Sequence, residues 1–214
     1  MTRMPVKFFP SDFIYWKKVK NHENIKEKMM DHISKIKDRS NYSYDVKNGH
    51  TSFYNEEQED NKFFAKDCFL IPVVFDTIRE FVEIINKNDE FHHKLDFKDL
   101  TVTGCWYTKY DKNGSFDLHQ HDQGPFERNG CIVYPIFSLI YILNDENSKN
   151  TTEFTSIGKK TSLHRDGEYV IDTGDIDDIK EGTVILFPSS LHHRVLQSEI
   201  PGRIAIAYNL AALY

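Results

Sequence analysis

The chain has 214 residues, a formal net charge of −6 and a pI near 5.9, with 39% hydrophobic and 28% charged residues. That length can bury a sizeable core. The acidic balance speaks against a nucleic-acid footprint, which needs a basic face, and no apolar run reaches the roughly 18 residues of a membrane helix. The three cysteines, Cys68, Cys105 and Cys131, lack metal-binding spacing, and their odd number suits a reducing compartment. The start, MTRMPVKFFPSDF, has no continuous apolar core of the signal-peptide kind. The expectation is a cytoplasmic protein without a nucleic-acid or membrane partner.

In chain order, the first hundred residues read mainly as helix and irregular segments. Ile25, Met29, Ile33 and Ile36 fall at helical intervals between residues 21 and 37. The polar stretch 39–61, with Asn48-Gly49, reads as loop. Pro72 suits a helix first turn, and Val74, Ile78, Phe81, Val82 and Ile85 form one apolar stripe behind it.

After Leu100 the pattern changes to strands. Residues 101–110 are β-branched and aromatic, Asn113-Gly114 signals a tight hairpin, and 116–121 reads as the returning strand. Residues 136–143 form a nearly continuous apolar run, as in a strand covered on both faces. Segments 169–171, 183–187, 194–197 and 203–211 follow, separated by Gly, Pro, Asp and Ser clusters. Short strands at this spacing predict a barrel or double-sheet jelly roll. The whole of 1–214 reads as one domain, with 1–100 as support and 101–214 as the β core. The acidic segment 172–181 reads as a solvated turn, because it lacks the alternating ligands of a calcium loop.

Within the β region, SFDLHQHD places His119 and His121 two apart, on one face of a strand, so both can reach one ion. Asp117 shares that parity, whereas Asp122 points away unless the strand has ended. Imidazole suits iron, zinc or copper, and two histidines with a carboxylate on one face suit non-haem iron. Of the adjacent His192 and His193 only one can face inward; Val195 and Gln197 continue the parity of His193, which makes it the candidate. Arg203 stands ten residues beyond His193 at the start of an otherwise apolar strand. Its planar fork suits bidentate capture of a ligand carboxylate. His92, His93 and His164 lie in charged segments and read as surface residues.

Taken together these residues resemble the iron(II)/2-oxoglutarate-dependent oxygenases, particularly the prolyl 4-hydroxylase-like group. The resemblance runs from about Trp106 to Leu210. It comprises the lead-in Tyr110, Gly114 and His119, the strand FSLIYILND, the segment from Gly182 through TVILFP and SSLHHRV, and Arg203 in GRIAIAYN. It implies a double-stranded β-helix, a jelly-roll barrel with supporting N-terminal helices. It also implies Fe(II) held by His-x-Asp/Glu and a distal histidine, 2-oxoglutarate as co-substrate with its far carboxylate on Arg203, and dioxygen as oxidant. The keto acid would go to succinate and carbon dioxide as a C–H bond is oxidised. Ser138, Tyr141 and Asn209 become candidate co-substrate contacts. One departure stands out: His121 occupies the family's acidic position. The third ligand is then His121 in a three-histidine set, or Asp122 through a bulged loop, or Asp117. The substrate would be an amino acid, a prolyl-type peptide or another small molecule, shaped by loops 40–66, 122–131 and 145–166. Two other classes fit the same residues: a cupin-like three-histidine dioxygenase that uses no 2-oxoglutarate, and a jelly-roll binding module without catalysis. The oligomeric state is not encoded in any of these patterns.

Overall fold

The structure is a computed structural model that describes residues 6–8, 12–36, 46–52, 68–88, 95, 99–121, 124–128, 130–145, 151–157 and 168–213. Two helices, α1 (His22–Lys35) and α2 (Leu70–Lys87), accompany eleven strands among those residues: β1 (Val6–Phe8), β2 (Phe13–Lys18), β3 (Val46–Thr51), β4 (Asp99–His119), β5 (Phe126–Arg128), β6 (Cys131–Asn144), β7 (Thr152–Ile157), β8 (Glu168–Asp172), β9 (Thr183–Pro188), β10 (His192–Ser198) and β11 (Ile204–Leu213). The strands form one antiparallel sheet in the order β1-β2-β9-β6-β11-β4-β10-β7-β8, with β3 also on β4 and β5 on β6. This sheet curls over on itself as a jelly roll.

Strand β4 makes the curl possible. Its first arm pairs with β11 from Leu213↔Asp99 to Ile204↔Lys109, and its second pairs with β10 from Ser198↔Gly114 to His193↔His119. Strand β3 spans both arms, pairing Gly49 with Tyr110 and Lys47 with Ser115. The expected hairpin at Asn113-Gly114 is therefore a correction: the chain does not reverse there. Asn113 takes the left-handed conformation (φ 59°) inside a large bulge, and the strand continues in the same direction into the second arm.

Alternation assigns each strand residue to one of two cores. On the outer face of the β2-β9-β6-β11-β4 arm, Tyr15, Leu139, Tyr141, Leu143, Val184, Leu186, Ile206 and Tyr208 meet Met29 of α1 and Val74, Ile78 and Phe81 of α2. The helical stripe is the expected one, except that Val82 is only partly buried. On the inner face, Ile14, Trp16, Ile140, Ile142, Ile185 and Phe187 meet Phe154 of the opposite arm, with the Phe154 and Phe187 rings 5.0 Å apart.

Several strands went unread in the sequence. FIYWKK forms β2, although two lysines mask three successive buried residues, Ile14, Tyr15 and Trp16. VKNGHT forms β3 in place of the expected loop, because pairing to β4 decides it rather than its own composition. TEFTSI forms β7 within the expected loop 145–166, anchored by the fully buried Phe154. In the acidic segment, Asp172 caps a short 3-10 turn by accepting from the Gly174 N–H at 2.8 Å.

Candidate metal centre

His119 ends β4, His121 lies two residues beyond it, and His193, the second residue of β10, pairs directly opposite His119. A ligating nitrogen of each lies within 4.8 Å of those of the other two. His193 is 2% exposed and His121 8%, so both sit in the inner cavity rather than on the surface. His192, the other member of its pair, is half-buried on the opposite parity and outside the cluster.

The proton positions suit a metal. His119 Nδ1 lies 2.8 Å from the Asp117 carbonyl oxygen and His193 Nδ1 3.1 Å from that of Leu191, so each donates through Nδ1–H. His121 Nδ1 lies 3.0 Å from Ser138 Oγ. A donor at Nδ1 leaves the Nε2 lone pair available to an ion. Burial and the neighbouring His119 push the His121 pKa down to about 3. Burial, then His121 and His119, hold His193 well below the ordinary imidazole value. Both rings are therefore neutral at physiological pH, the state in which imidazole ligates.

The acidic alternatives separate. Asp117 is half exposed and accepts from Lys47 Nζ at 2.8 Å, away from the cluster. Its expected parity with His119 fails because the β4–β10 register shifts between Val195↔Phe116 and His193↔His119. The extra residue turns Phe116 inward instead, where its ring stacks on His119 at 4.2 Å. Asp122, with His92, His93 and His164, lies outside the described residues.

The cluster opens into a narrow, partly open pocket. Trp106, Thr108, Ile140, Ala205 and Ala207 line one wall and Phe116 and Val195 the other, with Tyr110 and Arg203 also in the lining. Arg203 is 1% exposed. Its Nη2 donates to Thr152 Oγ1 at 2.7 Å, and its guanidinium carbon lies 5.7 Å from the centre of the Tyr110 ring. Burial lowers its pKa, opposed by Tyr110 and Asp145; a guanidinium stays charged regardless. Burial also pushes the Tyr110 hydroxyl up to about 12. A fixed cation at one part of the pocket and three imidazoles at another can address a metal-chelating anion with a second anionic end.

Among the other candidates, Ser138 and Asn209 face this side of the sheet but touch His121 and each other rather than line the pocket. Tyr141 does not reach the pocket. It is an odd number of residues from Ser138, so it points to the helical side, where its hydroxyl meets His22 Nδ1. Thr152, Phe116 and the two alanines are not singled out by the sequence, whereas Tyr110 belongs to the lead-in that carries the resemblance. Ala205 and Ala207 were within reach, since they continue the parity of Arg203; Thr152 was not, because its strand was read as loop.

No protein-family model matches this sequence, and no curated protein matches it. Solved structures do. OsALKBH1 superposes with a TM-score of 0.62 at 13% identity, covering 98% of this chain and all of that one. HygX from Streptomyces hygroscopicus, with nickel, 2-oxoglutarate and hygromycin B bound, gives 0.55 at 9% identity over 92% of this chain and 82% of its own. The viral collagen prolyl hydroxylase of Paramecium Bursaria Chlorella virus-1, in complex with 2OG, gives 0.51 at 13% identity over 93% and 97%. This chain shares the fold of all three.

Proposed function

We propose that the chain is an Fe(II)- and 2-oxoglutarate-dependent dioxygenase, a hydroxylase built as one domain over residues 1–214. The observation that supports this best is the convergence of His119, His121 and His193 on one point of a pocket that also contains the buried Arg203. His119, His121 and His193 would hold the iron. Arg203, set by Thr152 and Tyr110, would take the far carboxylate of the keto acid. With iron, keto acid and dioxygen in place, the cofactors supply oxidative decarboxylation and C–H oxidation. The chain's part is placement and exclusion of water. Trp106, Phe116, Ile140 and Val195 make the walls between the two poles apolar, which strengthens the charge-assisted bonds Arg203 can form. The substrate class is an amino acid, a peptidyl residue or another small molecule.

Titration of 2-oxoglutarate into the anaerobic Fe(II) protein, followed through its charge-transfer absorption, tests this reading. A charge-assisted hydrogen bond in a buried site contributes about 1.5–3 kcal/mol. Arg203→Ala should therefore weaken 2-oxoglutarate binding at least about tenfold with iron binding little changed. Arg203→Lys should recover part of the loss, because the charge survives and the two-pronged geometry does not. A histidine in the third ligand position also favours a second reading, a cupin-like dioxygenase that needs no keto acid. Equal 2-oxoglutarate affinity in wild type and Arg203→Ala would transfer the assignment to it.

A further inference from the structure

The three imidazoles are held in two different ways. His119 and His193 each rest on a backbone carbonyl two residues upstream, a support that any sequence provides. His121 instead rests on side chains drawn from separate elements. Its Nδ1 is 3.0 Å from Ser138 Oγ on β6, and that oxygen lies 3.1 Å from Asn209 Oδ1 on β11 and 3.2 Å from Ser189 Oγ in the turn after β9. The His121 backbone N–H donates to the Ser189 carbonyl at 2.9 Å, so the same turn also holds the main chain. Ser138 is 0% exposed and Ser189 1%.

Donor and acceptor chemistry orders these contacts. An amide oxygen only accepts, and a serine has one proton to give. Ser138 must therefore donate to Asn209 Oδ1. Its lone pairs then accept from the His121 Nδ1–H and from the Ser189 hydroxyl. With the proton committed to Nδ1, the Nε2 lone pair of His121 is left available to an ion shared with the other two histidines. We propose that Ser138 and Asn209 are positioning residues, a serine–amide relay that selects the His121 tautomer and lets a neutral imidazole serve as the third metal ligand. The inference rests on the metal-centre reading above. It gives Ser138 and Asn209 a role through His121 in place of direct contact with a co-substrate.

The test uses the full-length chain, with Co(II) as the metal probe and long-range proton–nitrogen NMR of the metal-free protein as the second readout. In wild type, His121 should appear protonated at Nδ1. Ser138→Ala and Asn209→Leu should shift His121 toward the Nε2–H form and weaken Co(II) binding about 10–100-fold, the usual effect of removing a partner behind a ligand. Asn209→Asp keeps an acceptor oxygen and should restore both the tautomer and most of the affinity, which a purely packing role would not predict. Tight Co(II) binding that is unchanged in Ser138→Ala and Asn209→Leu would overturn the relay alone. A wild-type His121 protonated at Nε2 would do the same. A wild-type protein that takes up no Co(II) would overturn the metal-centre reading, and this inference with it.

Discussion

At the scale of single residues, the adjacent pair His192 and His193 shows how far one peptide unit matters. His193 lies in the inner cluster, and His192 lies on the other face of β10. His119→Ala and His193→Ala are expected to lose stoichiometric metal by elemental analysis while the fold persists. His192→Ala should keep it, and an equal loss there would show that the wrong member was assigned. Pocket volume is a residue-scale property too. Ala205 and Ala207 stand where β11 faces the cavity, with Ala207 paired to Trp106 on the same wall. Ala207→Phe should fill that space, weaken 2-oxoglutarate binding tenfold or more, and leave metal uptake intact. Unchanged keto-acid affinity by the anaerobic titration would remove the co-substrate from this pocket.

Elements meet at a junction that ties α1 to the sheet. Gly182 has φ +79°, and a Cβ there would come within 2.8 Å of the His22 ring at the start of α1. Gly182→Ala combines left-handed strain with that clash, so a loss of about 1–3 kcal/mol is expected in urea unfolding. Next to it, Glu181 accepts from Lys26 at 2.6 Å, from the Asp145 N–H at 2.6 Å, and meets His22 Nε2 at 3.2 Å. Burial alone would raise its pKa, but the Asp145 N–H, Lys26 and His22 together lower it. A depressed folded value means the Glu181 contribution is complete above the ordinary glutamate range, about pH 4.3, and fades as pH falls through the folded pKa. Glu181→Gln should be less stable than wild type by about 1–2 kcal/mol at pH 7, with the two thermal midpoints converging in acid. A gap that persists or widens below pH 4 would contradict this.

For the whole molecule, the two arms of the curled sheet are held together by a single inner core that also forms the back of the pocket. Phe154 on β7 packs against Phe187 on β9 and lies 5.8 Å from the His193 ring. Phe154→Ala should cost about 3–5 kcal/mol and should also weaken metal binding, because the arm that carries His193 loses its anchor. A variant that unfolds at the wild-type urea midpoint would show that the arms are held by something else. The outer core has no such double role. Its residues, from Tyr15 and Tyr208 to Phe81 of α2, brace the sheet from behind. Among the described residues no helix is long and apolar enough to cross a membrane.

The sequence by itself determined what depends on local period. The alternation in RIAIAYNL is enough to put Arg203 and Asn209 on one face, and with them Ala205 and Ala207, which the sequence reading did not single out; the apolar stripe of α2 is visible for the same reason. The jelly-roll class followed from short strands at regular spacing. The pairing of HxH with a distant histidine and an arginine ten residues later suggested a metal beside an anion. Tertiary structure decided what depends on pairing between distant segments. A bulge cannot be read from one strand, so only the β4–β10 register could turn Phe116 inward and Asp117 out to Lys47. Only the β3–β4 pairing could show that Asn113-Gly114 bends the chain without reversing it. Parity alone could have separated Ser138 from Tyr141, but the partners behind each came from the fold: His121 and Asn209 for one, His22 for the other. Alternation is set within a few residues of backbone, whereas register, bulges and the partners of buried polar groups are set by strands that meet across the whole length of the chain.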